Sequence, residues 1–370
     1  MSLLNQGQTI RGTYEVERFL GAGAFAEVYR VKHRFLGRQA MKVFKMVGMT
    51  IEEIEKMLGE ALLLSRIGHP NIVRVFDANV VETSQGICGF FTMEYIAGGS
   101  LEQFWRSHGA RFVPIETAVE VVRQVCRGLA AAHGEAPPIV HRDIKPQNIL
   151  VGYDGTGLRA RVGDFGLARH VNPLTLMASA RGTPVFKAPE VFKDVQSDSL
   201  SGDVWGVGAT LYMLLTDQLP YACENEADLL SLRRFEKPLS PPSRFNPLID
   251  AALDAIVLKA LAVEGSRRYQ DARAFLQALE AWSPHAPAAA PSNVSQATTD
   301  WRGSKADFGQ LRQVDEGEAQ RLAKKALELA RQSGRLNEAA DVMEEAFNKW
   351  PDLRSQYQSK VQLWRMGVAM

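Results

Sequence analysis

A chain of 370 residues with 46% hydrophobic content is long enough to bury one large core or two medium ones. Its 43 Lys and Arg against 42 Asp and Glu leave no charge excess that would draw it to nucleic acid or an anionic membrane. Cys88, Cys126 and Cys223 are far apart and form neither a CxxC pair nor a Cys/His metal spacing, so reduced structural thiols in a cytoplasmic protein are expected.

The opening "MSLLNQGQTIRG" has no basic start followed by an apolar core, so no secretory signal is expected. From Tyr14 to about Asn79 the pattern is strand-rich: "YEVERFL", "AEVYRVKH" and "RQAMKVFK" alternate apolar and polar residues or carry β-branched and aromatic ones. The segment joining the first two, "LGAGAFAEVYRV" (Leu20–Val31), has the pattern G-x-G-x-x-A, with Ala26 at the third small position. Gly21 and Gly23 would let backbone N–H groups approach phosphates, although a plain glycine turn looks the same. The Lys-Ser/Thr ending of a Walker-type loop is missing. Lys42 lies among Ala40, Met41, Val43 and Phe44, a place where a lysine is either solvated or turned toward an anion. A helix with 3.6-residue spacing is predicted from Ile51 to Ile67, carrying Glu60 and ended by "GHPN".

After about Gly98 the pattern turns helical, with candidates at Ile115–His133, Ser201–Thr216, Leu248–Ala262 and Ala272–Ala281. The longest apolar run, "VWGVGATLYMLL", falls short of the roughly 20 residues of a membrane span and reads as a core helix. A small β-rich part followed by a larger helical part predicts an α+β architecture of two lobes with a cleft between them. "SPHAPAAAPSNVSQATTD" is rich in Pro, Ala, Ser and Thr and reads as a linker, after which a helical pattern returns. The expected organisation is a lead-in at 1–13, a main domain at 14–283, a linker at 284–314 and a helical tail at 315–370.

The chemistry concentrates in "IVHRDIKPQNIL", Ile139–Leu150. The apolar pairs at its ends predict two short buried strands holding a polar loop. Within that loop Asp143 can accept a proton, Lys145 can neutralise negative charge, and Asn148 can ligate a hard metal through its amide oxygen. Base, cation and metal ligand within six positions is what phosphoryl transfer needs.

With these motifs in order, "LGAGAFAEVYRV", "AMK", "HRDIKPQN", "DFG" at Asp164–Gly166 and "APE" at Ala188–Glu190, the chain resembles the eukaryotic-type protein kinases, most of all their bacterial members. The resemblance runs from about Tyr14 to Trp282. It implies the two-lobed kinase fold and a requirement for ATP and Mg2+, with Mn2+ as a substitute. Lys42 would contact the α- and β-phosphates and pair with Glu60. Asp143 would orient the acceptor hydroxyl and take its proton, assisted by Lys145, while Asn148 and Asp164 would hold magnesium. The nucleotide would lie against Leu20, Gly21, Ala22, Gly23, Val28, Ala40 and Met93, with backbone groups near Glu94 and Ile96 bonding the adenine edge.

Lys145 two residues after Asp143, and "GTPVFKAPE", resemble serine/threonine kinases. Thr183 would bond Asp143 and Lys145. Phe186 and Lys187 depart from the commoner residues and are expected to alter the peptide site. His141 and Phe165 would stack in an apolar spine, Asp203 would bond the catalytic-loop backbone, and Arg268 would pair with Glu190. Arg142 before the catalytic aspartate implies a loop switched by phosphate at Thr175 or Ser179, with Arg142 and Arg169 as the nearby cations.

The tail segment "AKKALELARQSGRLNEAADVMEEAFNKWPD" resembles one tetratricopeptide repeat, with Gly334 in its turn; the alternative is a helical hairpin docked on the kinase domain. Either way it is a contact element, for which a protein partner is expected, and a fragment ending near residue 285 is expected to fold and phosphorylate by itself. The readings in competition are an active serine/threonine kinase on protein substrates, a pseudokinase scaffold acting through the tail, and a kinase of small molecules. The intact Lys42, Asp143, Asn148 and Asp164 disfavour the scaffold, and the "GTP…APE" segment disfavours small molecules. No nucleic-acid partner and no membrane span are expected.

Overall fold

The computed structural model describes residues 2–23, 25–48, 50, 52–53, 68–109, 112–165, 183–194, 197, 199–221, 231–284 and 315–369. The chain divides into two compact units, Met1–Ile96 with Gly163–Ala180, and Ala97–Val162 with Arg181–Met370. Labels below count the described elements in chain order.

The first unit is built on a six-stranded sheet of β1 (Thr9–Ile10), β2 (Tyr14–Ala22), β3 (Ala26–His33), β4 (Gly37–Val47), β5 (Val75–Thr83) and β6 (Gly86–Glu94), in the order β1-β2-β3-β4-β6-β5. All its pairings are antiparallel. Because side chains alternate across a strand, one face carries Tyr29, Val31, Met41, Val43 and Phe90 into a buried core. Leu3 and Leu4 close that core. The Leu3 N–H donates to Glu27 Oε2 (2.9 Å) and the Leu4 N–H to Tyr29 Oη (3.0 Å). The expected helix from Ile51 to Ile67, Glu60 included, lies almost wholly outside the described residues.

The second unit holds α1 (Leu101–Ser107), α2 (Ile115–His133), the hairpin β7 (Ile149–Asp154) and β8 (Gly157–Val162), α3 (Leu200–Thr216), α4 (Ala251–Ala260) and α5 (Ala272–Ala281). The helices predicted at 115–133 and 272–281 form with those bounds. The one predicted from Leu248 begins later, because Asp250 caps it by accepting the Leu253 N–H at 2.7 Å. In α3 every residue from Asp203 to Thr216 is buried, as the apolar run implied. No described helix is long and apolar enough to cross a membrane. Cys88 and Cys126 are free and buried, and Cys223 lies outside the described residues. Strand prediction fails at Ile139–Val140. Ile149–Leu150 opens β7, but Ile139 is buried without entering a ladder and its N–H goes to Ala132 O at the end of α2 (3.0 Å).

Within the same unit follow α6 (Glu316–Ala330), α7 (Leu336–Lys349) and α8 (Leu353–Arg365). Gly334 sits in the first turn at φ +76°, a conformation that glycine adopts freely. The three helices share a core of Ala319, Ala326, Met343, Phe347, Val361 and Trp364. They dock on the rest of the unit: Phe347 meets Tyr153 edge-on, Asn348 Nδ2 donates to Gly98 O (2.9 Å), and Arg354 lies over the Phe104 ring. Of the linker expected at 284–314, residues 285–314 lie outside the described residues.

A buried charge cluster closes this contact. Arg365 Nη2 binds Glu344 Oε1 (2.6 Å) and Asp341 Oδ1 (2.8 Å), while Glu344 Oε2 accepts the Tyr153 N–H (3.2 Å). Two carboxylates share one guanidinium, and Glu344 is the more deeply buried. Burial therefore pushes the Glu344 carboxyl up from its ordinary 4.5 to about 7, against the pull of Arg365. A raised folded-state pKa stabilises the fold fully below about 4.5, and that contribution is lost as pH rises through about 7. At roughly 1.4 kcal/mol per pH unit the span is worth on the order of 3 kcal/mol. The thermal midpoint of the chain is expected to fall between about pH 5 and 8, a decline that Glu344→Gln should flatten. An equal decline in both proteins would assign the pH dependence to other groups.

Candidate active site

In the first unit, β3, β4 and β6 bring the expected nucleotide residues onto one face of the sheet. Val28 stands opposite Lys42, and Ala40 opposite Met93. Cross-strand partners share a face, so Val28, Ala40, Lys42 and Met93 form one patch, with Phe91 beside Lys42. The glycine-rich segment is the β2–β3 hairpin: Gly21 and Ala22 pair with Val28 and Glu27, and the Gly23 N–H donates to Ala26 O (2.8 Å). Leu20 is partly exposed at its start. Ala26 sits within β3 opposite Phe44. At the far end the Glu94 N–H bonds Arg74 O (2.9 Å), and Ile96 is buried as the unit's last residue before Gly163.

Lys42 Nζ lies 2.8 Å from Asp164 Oδ2. Asp164 has φ +60°, a left-handed conformation that is rare without glycine and persists where surrounding bonds enforce it. The ion pair with Lys42 is one such bond. Phe165 beside it is buried. Glu60, the partner expected for Lys42, lies outside the described residues, as do Arg169, Thr175 and Ser179.

In the second unit the segment 141–148 is held from beneath by Asp203, near the start of α3. Its Oδ2 accepts the His141 N–H (2.7 Å) and bonds His133 Nε2 (3.0 Å); its Oδ1 accepts the Arg142 N–H (2.8 Å). Burial opposes ionisation of Asp203, and the bonds from His133 and the His141 backbone outweigh it, holding the carboxyl below its ordinary range. Arg142 can thus keep φ +72°, and the fully buried His141 receives the Asp143 N–H on Nδ1 (3.2 Å). Gly206 lets α3 come this close, since a Cβ there would stand 2.7 Å from Ile144 O.

The turn so held presents Asp143. Its Oδ2 receives Lys145 Nζ (2.7 Å) and Asn148 Nδ2 (3.0 Å), and its Oδ1 receives Lys187 Nζ (2.8 Å). Burial works against its charge, but Lys187 and then Lys145 outweigh it and hold the carboxyl well below the usual carboxylate range. Asn148 spends its amide nitrogen on Asp143 O and Oδ2, which turns its amide oxygen away as a hard donor. Asp164 and Asn148 are therefore both oxygen donors suited to magnesium. No cluster of three or more His, Cys, Asp or Glu that could hold a metal occurs among the described residues.

Arg268 Nη1 and Nη2 grip Glu190 Oε1 and Oε2, both at 2.7 Å, as expected. The side chain of Thr183 lies outside the described residues. Sequence reasoning missed the contacts of Lys187 and of Lys42 with aspartates. For Lys187 there was a signal: a lone charge inside the otherwise apolar "PVFKAP".

A protein kinase domain model matches residues 14–280. The serine/threonine-protein kinase ATG1c of Arabidopsis thaliana is 33% identical over 220 residues, 59% of this chain and 29% of that protein. PknB of Mycobacterium leprae, a serine/threonine-protein kinase, is 33% identical over 264 residues, 70% of this chain and 41% of that protein. MasK of Myxococcus xanthus, a tyrosine-protein kinase, is 31% identical over 286 residues, 73% of this chain and 43% of that protein. The match thus spans less than half the length of these relatives. The crystal structure of the PknI kinase domain of Mycobacterium tuberculosis is similar at a TM-score of 0.54 and 27% identity, over 75% of this chain and 98% of that one. With the motifs in family order and a match over most of its length, the chain belongs to the protein kinase family and has the α+β protein-kinase fold.

Proposed function

We propose that the chain is an ATP- and magnesium-dependent serine/threonine protein kinase. The observation that carries this reading is Asp143, ionised between Lys145 and Lys187 on a turn fixed by Asp203. Asp143 orients the acceptor hydroxyl and takes its proton as the hydroxyl oxygen bonds the γ-phosphorus and the bond to the β–γ bridging oxygen breaks, releasing ADP. Lys145 and Lys42 balance negative charge on the transferring and remaining phosphates. Asp164 and Asn148 would hold magnesium, which supplies further charge neutralisation when bound. Lys145 at two residues past Asp143 supports serine/threonine acceptors. Autophosphorylation at Thr175 or Ser179, and a protein partner for the tail, belong to the same reading.

The test is transfer from γ-labelled ATP, with and without chelation of magnesium, to a histone and to the chain itself, followed by identification of the labelled residue. Label on serine or threonine that chelation abolishes is expected. Label confined to tyrosine would overturn the acceptor assignment, and no transfer would favour the scaffold. Lys42→Met should lower kcat/KM about 10²- to 10³-fold, because Asp164 loses its counter-charge and the phosphates lose a clamp. Unchanged turnover in steady-state labelling would remove Lys42 from the site.

A further inference from the structure

The geometry points to Lys187 as a positioning residue that keeps Asp143 in place when Lys145 turns to the transferring phosphoryl group. This rests on the kinase reading above.

An ionised carboxylate offers about four lone-pair directions, two on each oxygen. On Asp143, Oδ2 accepts from Lys145 and Asn148, and Oδ1 from Lys187. Among the described residues one direction is then left on Oδ1, beside Lys187, and a second opens on Oδ2 as Lys145 turns away. Lys145 has, among the described residues, one oxygen of Asp143 as its ion-pair partner, and a lysine that must meet an incoming phosphate gives up part of that contact. Lys187 is placed otherwise. Its ammonium bridges Asp143 Oδ1 and Arg142 O, both at 2.8 Å.

That second bond matters because Arg142 holds a left-handed conformation that an arginine does not adopt unaided. Asp203 ties the Arg142 N–H and Lys187 ties its carbonyl, so the peptide units on both sides of the strained residue are fixed. The backbone of Lys187 is itself rigid: Val185, Phe186 and Ala188 are buried, and Glu190 is locked by Arg268. One rigidly mounted ammonium thus sets both the turn and the carboxylate it presents, and a displacement of the order of 1 Å in such a group costs about 10²-fold in rate.

The experiment is steady-state phosphorylation of a histone by the full chain and by its Lys187→Met and Lys187→Arg variants, with melting temperatures measured in parallel. Lys187→Met is expected to lower kcat about 10- to 100-fold with KM for ATP unchanged and only a modest fall in melting temperature. Lys187→Arg should recover most of the loss, because it keeps the charge and the donors. A kcat for Lys187→Met equal to or above that of the unaltered chain, with transfer still dependent on Asp143, would overturn the proposal and leave the kinase reading standing. A fall in kcat and melting temperature together in both variants assigns Lys187 to folding and also overturns it. Absence of transfer by the unaltered chain removes the kinase reading and the proposal with it.

Discussion

Arg268→Ala is expected to destabilise the second unit by about 3–5 kcal/mol, the range for removing one partner of a buried ion pair. The Arg268 side chain is wholly buried, and its fork meets both oxygens of Glu190. It also donates to Ala262 O (2.7 Å) and Val263 O (2.9 Å), and its guanidinium lies over the Trp205 ring. Truncation to alanine leaves an uncompensated carboxylate and three carbonyls, that of Ser201 included, without that donor, and opens space beneath Trp205. Urea unfolding of the full chain is the measurement. Arg268→Lys should recover only a small part, because an ammonium cannot reproduce the paired, stacked geometry of a guanidinium. A loss below about 1 kcal/mol would place the pair among weak surface bridges.

Much of the site was legible because its residues are close in sequence and its turn is short. Asp143, Lys145 and Asn148 fall within six positions, and the structure joins all three. Helices at 115–133 and 272–281 were readable because each buries one stripe with ordinary spacing. Ile139–Val140 misled because an apolar pair signals burial without saying which backbone groups will satisfy it; here Ala132 O supplies the Ile139 partner. Leu3 and Leu4 escaped notice because two leucines carry no periodicity, yet they close the core behind β3. Lys187 and Asp143 are 44 residues apart, and only the folded turns around Phe186 and Glu190 decide that they meet. The docking of α6–α8 is likewise a matter of surface: Tyr153, Phe104 and Gly98 meet the tail from three separate places in the chain.

In the proposed reaction Asp143 serves the acceptor hydroxyl as base and anchor. Asp143→Asn changes size little but cannot take the hydroxyl proton, and it leaves Lys145 and Lys187 without the anion that both now hold. Acid–base steps of this kind are worth roughly 10²–10⁴ in rate. The direct measurement is kcat for labelled phosphate transfer at saturating ATP and magnesium, with ATP affinity determined separately in the same preparations. A fall of about 10²- to 10⁴-fold with ATP affinity retained is the predicted result. Turnover within a few-fold of the unaltered chain would remove Asp143 from the role of base.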